Sequence, residues 1–145
     1  MSAGEAFFDT NVLLYLLSAD TEKADRAEEL LAQGGRISVQ VLNEFASVAT
    51  RKLGFSWAEV GDALGIVRVI LRVDPITIET HDRALMIASK YRFSFYDALI
   101  VAAALQASCS TLYSEDWQSG LKVDGTLTVV NPFKAPGPAS PTVNQ

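Results

Sequence analysis

Short apolar runs alternate along the chain with longer segments in which apolar residues recur every three or four positions. The short runs predict strands at 6–8, 36–38, 73–76, 111–113 and 127–130. The longer segments predict helices at 12–17, 21–33, 39–53, 57–71, 78–91 and 95–109. Repeated strand–helix–strand units imply a mostly parallel sheet covered on both faces. The pattern therefore predicts an α/β fold.

Composition indicates one globular domain and excludes a membrane span. The chain has 145 residues, of which 49% are hydrophobic and 20% are charged. We expect a single domain over 1–133, followed by a proline-rich, flexible tail over 134–145. The apolar run 98–105 is far shorter than the roughly 20 residues that cross a bilayer. No secretory leader is evident, and the single Cys109 excludes an internal disulfide, so we expect a cytoplasmic protein.

Charge leaves the question of a nucleic-acid partner open. The net charge of −5 argues against one, because phosphate binding usually requires a basic surface. The charges are unevenly spread, however: residues 1–48 hold eight acids and three bases, whereas residues 49–95 hold seven bases and five acids. These bases either form a modest basic rim or are ordinary solvated side chains.

Two acids lie at the ends of predicted strands. Asp9 directly follows the first strand, and Asp116 comes shortly after the strand at 111–113. In open α/β sheets the active crevice lies at the carboxyl ends of the strands. Each acid also has an ordinary explanation, since Asp9 could cap the following helix and Asp116 could be a loop residue.

Two further acids lie at helix positions that favour a cleft. Glu44 is at the border of the apolar face of helix 39–53. Asp97 is in the first turn of a helix that is apolar on nearly every side, so the start of that helix points into the protein or into a cleft. Alternatively, Glu44 is a solvated helix residue, and Asp97 completes a capping box with Ser94.

Four converging carboxylates would repel one another unless a cation lay between them. Mg²⁺ prefers oxygen ligands and often binds one or two carboxylates together with substrate phosphate. With one histidine, His81, and one cysteine, the sequence offers no zinc site of the usual kind. It also contains no P-loop and no dinucleotide-binding fingerprint. The residue types therefore favour metal-dependent phosphoester chemistry.

Four segments, in order, resemble the PIN-domain family, and more closely its VapC-type toxins of bacterial type II toxin–antitoxin pairs. They lie at 7–15, 41–45, 94–100 and 112–116, and the resemblance covers residues 6 to about 133. It implies a three-layer α/β/α domain and Mg²⁺- or Mn²⁺-dependent endoribonuclease activity on RNA. It also implies a homodimer that a cognate antitoxin protein inhibits.

The resemblance assigns site residues by position. Asp9, Glu44 and Asp97 match the three central acids of the family, and Asp116 matches its fourth, more variable acid; all four are candidate catalytic residues and metal ligands. The supporting positions are Thr10, Asn11, Ser114 and Glu115. Asn11 would orient Asp9 or a water at the ion, and Ser114 matches a hydroxyl residue that often precedes the fourth acid. Glu115 is the alternative to Asp116, because this part of the chain departs from the usual motif.

Two other functions are compatible with parts of the sequence. Phosphatases of the haloacid dehalogenase type also place a nucleophilic Asp after the first strand, but they have a second Asp two residues later, where this chain has Asn11. A non-catalytic regulator with the same fold is the other alternative, although all four acids are present.

Overall fold

The structure, a computed structural model, describes residues 4–134. Its strands are β1 (Ala6–Phe8), β2 (Arg36–Ser38), β3 (Arg72–Asp74), β4 (Thr111–Tyr113), β5 (Lys122–Val123) and β6 (Leu127–Val130). Its helices are α1 (Thr10–Leu14), α2 (Thr21–Ala32), α3 (Val39–Arg51), α4 (Trp57–Ile70), α5 (Ile78–Tyr91) and α6 (Phe95–Gln106), with a 3₁₀ turn at Tyr15–Leu17.

The six strands form one sheet in the order β3-β2-β1-β4-β6-β5. Every neighbouring pair is parallel except β5 and β6, which are antiparallel. The predicted three-layer α/β/α architecture with a mostly parallel sheet is confirmed. The strand order reverses between β1 and β4, and ligands of open α/β sheets bind outside the carboxyl ends of the strands at such a point.

The core lies on both faces of the sheet. Phe7 and Phe8 are successive residues of β1, so their side chains point to opposite faces, and both are fully buried. Helix α6 is buried on nearly every side, since all residues from 98 to 105 are buried. The interpretation of this segment as a buried helix is confirmed, and its first turn, with Asp97, lies where the core meets the surface.

Helices α2, α3 and α4 end one or two residues earlier than predicted, and three further elements also have different bounds. The strand predicted at 73–76 begins at Arg72 and ends at Asp74, because the next residue is Pro75, which has no N–H to donate to a neighbouring strand. The helix predicted at 95–109 ends at Gln106, and Ser108 has a left-handed conformation with φ of 58°. The helix predicted at 12–17 is the short helix α1 followed by the 3₁₀ turn.

Strand β5, which has only two residues and pairs with β6, is not predicted by the sequence pattern. The predicted tail at 134–145 lies, from residue 135 onward, outside the described residues. Between residues 4 and 134, the helices lack the combination of length and apolar character that crossing a bilayer requires.

Candidate functional site

The ends of β1 and β4 bring Asp9 beside Ser114. Phe8 pairs with Tyr113 in the parallel register of these strands. The next backbone N–H, that of Asp9, donates to the Tyr113 carbonyl at 2.9 Å. The Ser114 hydroxyl then donates to Asp9 Oδ2 at 2.7 Å. Asp9 and the residues after β4 therefore meet where the strand order reverses.

Asp9 is a buried carboxylate, with 2% of its surface exposed. It is the N-cap of α1, and its Oδ1 accepts a hydrogen bond from the backbone N–H of Thr10 at 2.7 Å. Its Oδ2 accepts from the side-chain amide of Asn11 at 3.2 Å in addition to the Ser114 hydroxyl. The capping role proposed as an alternative is therefore real, but it uses only one of the two carboxylate oxygens.

The pKa of Asp9 is raised to about 7, chiefly by burial and to a smaller extent by the negative charges of Asp116 and Asp97. The hydrogen bonds from Ser114 and Thr10 act in the opposite direction. The two acids that affect Asp9 belong to the loop after β4 and to the start of α6. The structure thus brings three of the four predicted acids within electrostatic range of one another.

Glu44 joins this group through Thr10. The Thr10 hydroxyl donates to Glu44 Oε1 at 2.9 Å, while the backbone N–H of the same threonine is bound to Asp9. Gln40, one helical turn earlier on α3, donates to Glu44 Oε2 at 3.0 Å. The sequence analysis missed Gln40, although its spacing of four residues from Glu44 is the signal that could have identified it.

Asp97 lies in the first turn of α6 and is half-buried. Its backbone N–H donates to the Ser94 hydroxyl at 3.2 Å, which is one half of a capping box. Within residues 4–134 the reciprocal bond, from the Ser94 backbone to the Asp97 carboxylate, is not formed. Burial raises the pKa of Asp97, as does the charge of Asp116, against the hydrogen bonds of Ser94 and Trp117. Helix capping therefore does not account for this carboxylate.

The neighbouring acids Glu115 and Asp116 point to different partners. The carboxylate of Glu115 accepts hydrogen bonds from Tyr15 and Lys23, at 2.5 and 3.1 Å. Asp116 is exposed, and its charge acts on both Asp9 and Asp97. Of the two candidates for the fourth acid, Asp116 is the one whose charge raises the pKa values of Asp9 and Asp97.

The charge and donor set of this site suit a hard divalent cation. No salt bridge within residues 4–134 involves Asp9, Glu44, Asp97 or Asp116, so no described basic side chain neutralises them. In the same part of the chain, no three His, Cys, Asp or Glu side chains are grouped so that they could hold one ion directly. Mg²⁺ is usually bound by one or two carboxylates and keeps several waters, so this looser arrangement fits it. Cys109 is not a competing ligand, since burial raises the pKa of its thiol to about 11.

The comparison with protein families decides the classification. Residues 6–122 match the model of the PIN domain. The chain belongs to the PIN domain family. The resemblance of the four sequence segments to this family is confirmed.

Solved structures with the same fold include PIN-domain toxins. Mycobacterium tuberculosis VapC20, described as a sarcin–ricin loop cleaving toxin, has a TM-score of 0.64 and 24% identity over 77% of this chain and 89% of its own. A toxin–antitoxin complex from Klebsiella pneumoniae has a TM-score of 0.67 and 22% identity over 89% and 98%. FitAcB from Neisseria gonorrhoeae has a TM-score of 0.61 and 18% identity over 88% and 97%. No curated protein matches the sequence of this chain.

Proposed function

We propose that this PIN-domain protein is a metal-dependent endoribonuclease, the toxin of a toxin–antitoxin pair, in which Asp9, Glu44, Asp97 and Asp116 hold Mg²⁺ or Mn²⁺. The observation that carries the proposal is the buried carboxylate of Asp9, whose pKa is raised to about 7. The charges of two further acids, Asp116 and Asp97, act on it, and no basic side chain among the described residues forms a salt bridge with it. Perturbed carboxylates grouped at a strand-order reversal are typical of an active site.

The ion would supply Lewis-acid activation of water and would stabilise the charge that develops on the phosphodiester. The protein's own contribution is to fix the acids. Ser114 and Asn11 hold one oxygen of Asp9, and Thr10 and Gln40 hold Glu44. Hydrogen bonds of this kind to ligating carboxylates orient them and tune their affinity for metal. No side chain is needed as a covalent nucleophile.

RNA is the substrate we propose because of the structural neighbours and the chemistry of the site. VapC20 is described as cleaving the sarcin–ricin loop, and its fold is shared by 77% of this chain. A phosphatase of the haloacid dehalogenase type would need a second acid at position 11, where this chain has Asn11. The Asn11 side chain instead joins Asp9 to the backbone N–H of Glu115.

An apolar groove between α2 and α4 offers a binding surface for an antitoxin helix. Its volume is about 510 Å³, and all of its lining side chains except Glu28 are apolar, among them Leu16, Leu31, Ile66 and Ile70. A second depression of about 410 Å³ shares Leu17 with this groove and extends to Asn11 beside Asp9.

A partner helix in the groove could therefore continue towards the acids. There an arginine would pair with carboxylates in a bidentate manner. The apolar groove is needed for stable binding of the partner, because a surface ion pair alone contributes only about 0–1 kcal/mol to the binding free energy. The structural neighbour from Klebsiella pneumoniae is described as a toxin–antitoxin complex, which supports a protein partner.

A separate apolar surface on α5 and α6 is where we place the contact between two copies in a C₂ homodimer. Ile78, Met86 and Tyr96 are 76%, 71% and 62% exposed, which is unusual for such large side chains. The other candidates for this contact are the two tryptophans, Trp57 and Trp117, and the apolar-rich helix α4. Trp57 is exposed, but Trp117 stacks on Phe93 at 5.2 Å, and α4 lines the groove already assigned to the antitoxin.

Incubation of the purified protein with total RNA tests the proposed activity. We expect internal cuts that require Mg²⁺ or Mn²⁺ and stop on addition of EDTA, and mapping of the new ends would identify the preferred RNA. Binding of the ion without any cleavage would favour the non-catalytic regulator. An acid-stable aspartyl phosphate would favour the phosphatase.

A further inference from the structure

Beside the acids, Lys23 of α2 and Tyr15 of the 3₁₀ turn bind the side chain of Glu115. The Tyr15 hydroxyl donates to Glu115 Oε1 at 2.5 Å, and the Lys23 ammonium donates to Glu115 Oε2 at 3.1 Å. Lys23 also donates to the Tyr15 hydroxyl at 3.0 Å, which closes a triangle of three side chains. We call Tyr15, Lys23 and Glu115 the clamp.

Aromatic rings partly shield the clamp from water. The Lys23 nitrogen lies 4.6 Å from the centroid of the Tyr15 ring and 5.7 Å from that of Phe133. The two rings pack edge to face with centroids 4.5 Å apart. The side chains of Lys23 and Glu115 are 36% and 29% exposed. A lysine–glutamate pair that is shielded and shares a hydroxyl is held more firmly than an open surface pair.

The backbone that carries Glu115 is tied to the candidate site. The N–H of Glu115 donates to the side-chain oxygen of Asn11 at 3.3 Å, and the amide of the same side chain donates to Asp9. The N–H of Asp116 donates to the hydroxyl of Ser114, which itself donates to Asp9. Movement of Glu115 would therefore change the surroundings of Asp9 as well as the direction of Asp116.

We propose that Lys23 and Tyr15 are positioning residues that hold Glu115 away from the acids and so make Asp116 the fourth acid of the site. This inference rests on the proposed function, because it assigns a role towards the metal that the acids would hold. Glu115 and Asp116 are adjacent, and either carboxylate could face Asp9 if nothing selected between them. The clamp makes the selection by pairing the Glu115 carboxylate with the Lys23 ammonium and the Tyr15 hydroxyl.

The clamp should matter for metal affinity and for the order of the turn that carries Asp116. Replacing Lys23 by Met keeps a long apolar stem and removes the ammonium, so Glu115 loses its counter-charge. A freed Glu115 would compete with Asp116 for its place. Substitution of a residue that only orients a metal ligand typically weakens metal binding by about 10- to 100-fold.

The chain contains a matched control for this substitution. Lys90 and Tyr91 bind Asp124 at 3.2 and 3.1 Å, and the Lys90 nitrogen lies 5.2 Å from the centroid of the Tyr91 ring. This group has the same chemistry as the clamp, and none of its hydrogen bonds in the described structure reaches Asp9, Glu44, Asp97 or Asp116. Tyr91 stacks on Phe93, which stacks on Trp117, but Lys90→Met leaves these three rings in place. Lys90→Met therefore reports the cost of losing such a group without any effect on the acids.

The experiment compares Lys23→Met, Lys23→Arg and Lys90→Met with the wild type in two measurements. The first is the Mn²⁺ dissociation constant from electron paramagnetic resonance. The second is amide hydrogen exchange at residues 115 and 116 in the metal-free protein. We expect Lys23→Met to weaken Mn²⁺ binding by about 10-fold or more and to speed exchange, Lys23→Arg to restore both, and Lys90→Met to leave both unchanged.

A double variant identifies the cause. If freed Glu115 is the competitor, adding Glu115→Gln to Lys23→Met should recover much of the lost Mn²⁺ affinity. Wild-type Mn²⁺ affinity and exchange in Lys23→Met would overturn the inference. A wild-type protein that binds no Mn²⁺ would instead contradict the proposed function, and the exchange data alone would then show whether the clamp orders the turn.

Discussion

The hydroxyl of Ser114 donates a hydrogen bond of 2.7 Å to the carboxylate of Asp9, across the two strands at which the sheet order reverses. This contact stabilises the charged form of a buried acid. It therefore lowers the pKa of Asp9, although burial still keeps that pKa at about 7. The protonation of Asp9 near neutral pH therefore depends in part on Ser114.

Ser114→Ala should move the pH dependence of metal binding to higher pH. Without the hydroxyl, the pKa of Asp9 rises above its present value of about 7, so more of the protein holds the Asp9 proton at neutral pH. We expect weaker Mn²⁺ binding at pH 7 that recovers at pH 9, measured by titration calorimetry. Ser119→Ala, an exposed serine in the same loop region, is the control. An unchanged pH profile would show that the serine does not tune Asp9.

The metal-free protein should lose stability between pH 5 and pH 8. The pKa of Asp9 rises on folding from 3.8 to about 7, so the folded state holds this proton more tightly than the unfolded state does. The free energy of unfolding therefore falls as pH rises through this range, and the loss is complete above the folded pKa. Asp97 contributes with the same sign. Urea unfolding in EDTA measures the effect, and Mn²⁺ at pH 8 should reverse it. Equal midpoints at both pH values would contradict the raised pKa.

Much of this fold could be predicted because local and long-range signals agree. Ser56 and Glu59, whose spacing is typical of a capping box, form both of its bonds at the start of α4, and α6 is as buried as its composition indicates. Strand β5 was missed because two residues carry no periodicity. A turn signal was nevertheless present, since Asp124 and Gly125, both with positive φ, follow this strand and form a typical hairpin sequence.

The candidate site could be predicted from the sequence only in part. The acids could be identified because each lies at a strand end or a helix border. The contacts that orient them join distant parts of the chain: Lys23 and Glu115 are separated by 92 positions, and Thr10 and Glu44 by 34. No spacing rule connects such pairs. The contacts that distinguish Glu115 from Asp116 could therefore be identified only in the structure.

Charge on the exposed face of α5 should dissociate the dimer that we propose. Met86 is 71% exposed, so Met86→Glu should leave the fold intact while placing two like charges at the contact. We expect the wild type to have the mass of a dimer, and Met86→Glu that of a monomer, in light scattering at micromolar concentration. Ile66→Glu on α4 should remain dimeric. A monomeric wild type would refute self-association.

Binding of the antitoxin can be tested with the same two variants, but here Ile66→Glu is the disruptive variant and Met86→Glu is the control. The protein encoded beside this chain's gene is the candidate partner, and Ile66→Glu should weaken its binding because Ile66 lines the apolar groove. Mn²⁺ should compete with the partner, and Glu44→Gln or Asp97→Asn should weaken binding further, since an inserted arginine would lose a carboxylate. Competition titration measures all of these effects. Affinity that is indifferent to Mn²⁺ and to both acids would place the inhibitory contact elsewhere.

The most direct test of the metal-dependent ribonuclease is the rate of RNA cleavage by Asp97→Asn relative to the wild type at saturating Mg²⁺. This substitution keeps the volume and one oxygen of the side chain and removes its charge. We expect the rate to fall by about a thousandfold or more, which corresponds to several kcal/mol of transition-state stabilisation. Stability should be unchanged or higher, because the pKa of Asp97 is raised in the folded protein, and Asp82→Asn at an exposed position of α5 should cleave normally. Cleavage by Asp97→Asn at the wild-type rate would contradict the account.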